Sequence, residues 1–160
     1  AVLIQLPPDF DRSLVNRGYL AALLDGLEGL PVAVEFRHHS WAIDSVFAEL
    51  SRRQVSLVAV DAPALPGLFP ALDVVTNPGL FYGRFHGRNR EGWRSGNMQK
   101  KFNYDYADEE LRAWCAGHLP AMVARADRGI LVFNNHVRAQ APRNAARLAT
   151  ILGEQSRGAG

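Results

Sequence analysis

The sequence predicts an α/β fold in which about five parallel strands alternate with helices and curl toward a barrel. Three observations predict it. Short apolar runs alternate with helical stretches along the chain. Such alternation implies parallel pairing with helical crossovers. The strands also carry charge on one face, increasingly toward their C-terminal ends. Strands of an open sheet covered on both sides would instead read as nearly continuous apolar runs. A barrel whose interior turns polar at its C-terminal mouth fits better.

Each element has a local reason. Val2–Leu6 is an apolar run stopped by Pro7 and Pro8. Asp11 or Ser13 can cap a helix over Leu14–Leu27, whose apolar side is Leu14, Leu20, Leu23, Leu24 and Leu27. Gly29 suits its end. Val32–Arg37 reads as the second strand. Asp44 can cap a helix over Ser45–Arg53, and Gln54–Asp61 reads as the third strand. Residues 62–79 contain Pro63, Pro66, Pro70 and Pro78, so they read as loop. Leu80–His86 is the fourth strand, followed by a polar, Gly-punctuated segment from Gly87 to Tyr106. Asp108, Glu109 and Glu110 suit a helix first turn, facing the positive end of its dipole, in a helix reaching Ala126. Gly129–Asn134 is the fifth strand. Pro142 suits the first turn of a last helix to Leu152, with a frayed tail from Gln155 to Gly160.

Composition bounds the rest. The 160 residues are 48% hydrophobic and 21% charged, which excludes disordered, collagen-like and coiled-coil chains. The longest apolar stretch without a formal charge, Ala62 to Leu72, is broken by three prolines, so no membrane span is expected. Residues 1–80 hold 5 basic and 9 acidic side chains, and residues 81–160 hold 13 and 7. The net charges of −4 and +6 put a basic surface in the second half. Sixteen of the 18 bases are Arg, whose planar fork suits phosphate and carboxylate. Cys115 is the only cysteine, so neither an intrachain disulfide nor a Cys-based zinc site can form. Ala1 leads straight into a strand-like run, with no signal-peptide pattern and no initiator Met. The expectation is a cytoplasmic chain that begins inside a longer parent protein.

Side chains alternate faces along a strand. Glu35 and Arg37 therefore share a face of the second strand, and Arg84 and His86 share one of the fourth. Gln5, Asp61 and the pair Asn134-Asn135 fall at the C-terminal ends of the other strands. The candidate proton-transfer groups are Glu35, His86 and Asp61. The candidate ligand contacts are Gln5, Arg37, Trp41, Arg84, Arg88, Asn134 and Asn135. Three readings stand. Glu35 and Asp61 can simply neutralise Arg37 and Arg84, since an unpaired buried charge is expensive. The arginines can hold a phosphate or carboxylate while Glu35 or His86 moves a proton, as in a hydrolase. His86, Glu35 and Asp61 can hold a metal, although the adjacent arginines argue against one and no cofactor is named. His38 and His39 read as polar loop surface, and Trp41 either packs at the next helix or walls the mouth. The segment from Gly87 to Tyr106 interleaves Arg88, Arg90, Arg94, Lys100 and Lys101 with Trp93, Phe102, Tyr104 and Tyr106. It fits a flexible loop, a lid over a small anionic ligand, or a surface that tracks nucleic acid. No phosphate-binding P-loop, serine nucleophile elbow or His-Glu-x-x-His motif occurs.

Five segments then carry a resemblance. They are Leu3-Ile4-Gln5-Leu6-Pro7-Pro8, Glu35-Phe36-Arg37-His38-His39-Ser40-Trp41, Arg84-Phe85-His86-Gly87-Arg88, the pair Tyr104 and Tyr106, and Phe133-Asn134-Asn135 with Asn144-Ala145. In this order the chain resembles the domain of unknown function 72 family, also called YecE-like. Val132 stands where that family often has an aromatic residue. The resemblance implies a TIM-like (β/α) barrel of roughly 250 residues, of which this chain matches the C-terminal part. It implies a partial barrel with the N-terminal strands missing, and it implies no reaction, because none is established for the family. The first strand should then expose an apolar edge, prone to pair with the missing portion or with another copy.

Overall fold

The computed structural model describes residues 1–158, with side chains through Glu154. Five strands, β1 (Val2–Gln5), β2 (Val32–Glu35), β3 (Ser56–Asp61), β4 (Phe81–Phe85) and β5 (Gly129–Phe133), form one sheet in sequence order. Every neighbouring pair is parallel. The sheet is curled into a half-barrel. β1 and β4 lie three places apart, about 14 Å in a flat sheet, yet Gln5 Oε1 accepts a hydrogen bond from Arg84 Nη1 at 2.7 Å.

Helices cover the convex face. α1 (Leu14–Gly26) is capped by Ser13, whose side chain accepts from the Asn16 N–H. Its Leu20 and Leu24 join Val34, Phe36, Trp41 and Leu50 in one core. α2 (Asp44–Arg52) starts at Asp44 itself. Ile43 occupies the cap position, so Asp44 meets the helix dipole from the first turn instead of capping it. β3 begins two residues later than the sequence suggests, because Gln54 takes a positive φ and the Val55 N–H closes back on Leu50. Within the proline-rich loop, the Thr76 hydroxyl takes the Leu57 N–H and donates to the Val55 carbonyl.

The segment after β4 is not an irregular loop. It contains α3 (Arg90–Arg94) and α4 (Met98–Lys101), capped by Asn89 and Asn97, each accepting the N–H three residues on. Gly87, with φ +84°, makes the turn into it. A Cβ there would come within 2.5 Å of the Tyr104 Cβ. α5 (Asp108–Val123) and α6 (Gln140–Gly158) pack Leu111, Trp114, Cys115, Leu148 and Ile151 against Phe81 and Phe85. α5 stops short of Ala126, whereas α6 runs past Leu152. Residues 159 and 160, the end of the tail expected to fray, lie outside the described residues. Among the described residues no helix is long and apolar enough to cross a membrane.

Candidate functional site

The concave face of the sheet is apolar at its base and ionic at the mouth. Ala33, Val58 and Tyr82 form the base, with Leu3, Ile130 and Val132 against them. Above them Glu35 is completely buried, and Arg37 and Arg84 are 5% and 8% exposed. The Glu35 carboxylate gathers three side chains. Arg84 Nη1 donates to Oε2 at 2.5 Å, His86 Nε2 lies 3.1 Å from Oε1, and Arg37 Nε is paired with the same oxygen. Gln5 Oε1 faces both guanidiniums. With its proton assigned to Nε2, the His86 ring donates to Glu35 and accepts at Nδ1 from Asn134 Nδ2, 3.3 Å away.

Burial would raise the Glu35 pKa. The His86 hydrogen bond and the Arg37 and Arg84 charges outweigh it and hold the carboxyl at about 2. Burial pushes His86 below its ordinary value, more than Glu35 lifts it, so the ring is neutral at pH 7. One carboxylate therefore faces two guanidiniums, and the pocket keeps one excess positive charge. Arg37 Nη1 and Arg84 Nε are buried donors without an acceptor among the described residues.

α3 and α4 supply a roof. Trp93 lies 5.5 Å from the Arg37 guanidinium, and Lys101 Nζ stands 4.0 Å from the same ring. Phe102 and Trp93 flank His86 at 6.1 and 6.4 Å between ring centres. Burial and the Arg37 charge both lower the Lys101 pKa. Residues 93, 101 and 102 were legible only as part of a basic, aromatic stretch. The caps at Asn89 and Asn97 were the signal that could have placed them on helices.

Four sequence candidates lie outside this pocket. Asp61 does not meet Arg84. The strand register sets Val60 opposite Arg84 and Asp61 opposite Phe85, so Asp61 points to the convex face. There it accepts from the Tyr106 hydroxyl at 2.7 Å and pairs with Arg88 through two hydrogen bonds of 2.9 and 2.6 Å. Burial and this carboxylate raise the Tyr106 pKa, and the Tyr106 oxygen accepts the Gly87 N–H. Asp61 and Arg88 thus pin the roof segment to the barrel. Because Asp61 faces away from Glu35 and His86, the trio weighed for a metal does not converge. Asn135 is fully buried and bonds Asn144 Oδ1 and the Tyr104 carbonyl. Trp41 stacks on Phe36 at 4.8 Å and donates to the Phe10 carbonyl, inside the convex core and away from the mouth.

The model of a protein family of unknown function, DUF72, matches residues 1–159. The chain belongs to the DUF72 family. A DUF72 crystal structure from Enterococcus faecalis V583 superposes with a TM-score of 0.87 at 31% identity, covering 96% of this chain and 58% of that one. One from Thermotoga maritima MSB8 gives 0.86 at 33% identity, with 94% and 56% covered. The UPF0759 protein YunF of Bacillus subtilis strain 168 is 27% identical over 161 residues, 94% of this chain and 57% of YunF. The chain thus spans somewhat more than half the length of these DUF72 and UPF0759 relatives, and its half-barrel matches the DUF72 fold.

Proposed function

We propose that the mouth binds an anionic, phosphate-bearing small molecule. The observation that carries this reading is the pair of buried guanidinium donors, Arg37 Nη1 and Arg84 Nε, left without acceptors in a pocket of net positive charge. Purely structural pairing would spend those donors on carboxylates, and the sole carboxylate in the pocket among the described residues already serves three partners. An anion would satisfy both through charge-assisted hydrogen bonds. Gln5 and Asn134 then orient Arg84 and His86, and the roof of Trp93, Lys101 and Phe102 excludes water.

Hydrolysis of a phosphoester is the catalytic extension of the same site. His86, neutral and backed by Glu35, would take the proton of an attacking water after exchanging its Asn134 contact for that water. The nucleic-acid reading has less support. Phe102 and Tyr106 are buried at 4% and 1% exposure, so they offer no open face for a stacked base.

The test is Arg84→Ala in the protein, with binding of a panel of phosphoesters and oligonucleotides followed by calorimetry. Loss of a charge-assisted contact weakens a true ligand by about tenfold or more. If no member of the panel loses affinity, the anion site is wrong. Turnover of a phosphoester abolished by His86→Ala would carry the hydrolase extension.

A further inference from the structure

An open groove lies at the rim, outside the Glu35 pocket. Its volume is about 540 Å³, and its walls are Gln99, Lys100 and Asn103 from the β4–α5 connection and His136, Val137 and Arg138 from the β5–α6 loop. We infer that this groove is a separate site for the phosphate group of a small phosphoester, held by Lys100 and Arg138.

Four observations support it. Two of the six lining residues carry a positive charge and none is acidic. The Lys100 ammonium and the Arg138 guanidinium have no carboxylate partner among the described residues, which leaves both free to hold an anion. A neutral donor is also available. Asn103 Oδ1 is taken by Gln140 Nε2 at 3.0 Å, which leaves the Asn103 amide N–H groups to face a ligand. His136 Nδ1 donates to the Asn134 carbonyl at 3.3 Å, so Nε2 of the neutral ring is an acceptor, and His136 lines the site without donating to the ligand. Finally, Arg138 and Ala139 hold φ of 52° and 56°, consecutive left-handed conformations in residues other than glycine. Such backbone concentrates at ligand clamps. Here Arg143 Nη1 binds the Arg138 carbonyl at 2.7 Å and secures the turn.

The location fits this chemistry. Both walls lie beyond the C-terminal ends of β4 and β5, the end at which (β/α) barrels place their sites. The rim is also distinct from the mouth. The Phe102 ring stands between them, 6.1 Å from His86 on one side and 5.6 Å from His136 on the other.

That arrangement supplies a reporter for each site. Inorganic phosphate is titrated into the ¹⁵N-labelled protein at constant ionic strength while the His136 and His86 ring resonances are followed. A saturable shift at His136 is expected. In the Lys100→Ala/Arg138→Ala double variant it should need about a hundredfold more phosphate, since two charge-assisted contacts are lost. It should persist in Arg84→Ala, even if the mouth reading fails. The inference is overturned if His136 shows no saturable shift, if the double variant titrates like the parent, or if only His86 responds.

Discussion

Glu35→Gln isolates the central charge of the mouth while keeping its shape. In the folded protein the carboxyl is held at about 2, against 4.5 for an unperturbed one. A folded-state pKa depressed in this way stabilises the fold above the unfolded value, and the gain is lost as pH falls through the folded one. At 1.36 kcal/mol per pH unit the carboxylate contributes about 3 kcal/mol at pH 7, and roughly half of that at pH 3. The amide also presents an N–H₂ to one of two buried guanidiniums, and breaking a buried pair costs about 3–5 kcal/mol by itself. Urea unfolding at pH 7 should therefore show Glu35→Gln less stable by about 3 kcal/mol, equivalent to a melting point lower by about 6–12 °C. The gap should narrow at pH 3. His86 adds a second arm at higher pH: its pKa lies below the ordinary 6.5, so the unfolded chain takes the proton first and stability falls as pH drops through that value. A loss under about 1 kcal/mol at pH 7, or an equal loss at both pH values, would refute the assignment of Glu35 as the buried counter-ion.

Two further outcomes follow from the packing. A Cβ on Gly92 would collide with the Lys100 backbone carbonyl, so Gly92→Ala must part α3 from α4. The expected cost is about 1–3 kcal/mol, with Trp93 emission shifted to the red and anion binding weakened; unchanged emission would show that the roof tolerates the change. Among the described residues β1 pairs only with β2, and Val2 is 38% exposed. The 160-residue chain should self-associate through that edge, and a clean, stable monomer in light scattering would contradict this.

The fold was legible because periodicity survives in short strands. Glu35 with Arg37, and Arg84 with His86, betray a polar face by alternation alone. The position of Asp61 was not legible. Between Ser56 and Asp61, β3 is apolar on both faces, so nothing in that run says which face turns inward. Only its register against β4 decides that. Trp41 was ambiguous for a related reason. Its neighbour Phe36 points to the convex core while Arg37 points to the mouth, and one residue of offset separates the two destinations. The roof was hidden by length: α3 and α4 have five and four residues, too few for apolar periodicity to register, and their asparagine caps are the sole local sign.

Two of the three partners of Glu35 are remote along the chain. Arg84 lies 49 residues away and His86 51, and the Gln5–Arg84 contact spans 79. Contacts of such separation form late, because the entropy of closing long loops is met before they return anything. During synthesis Gln5, Glu35 and Arg37 emerge well before the strand that completes their pocket. Until β4 docks, Glu35 has only Arg37 as a cation, and the emerging sheet has an unfinished edge. Assembly of the ionic mouth thus coincides with closure of the sheet, so a chain that stalls short of β4 is both without a site and open to aggregation.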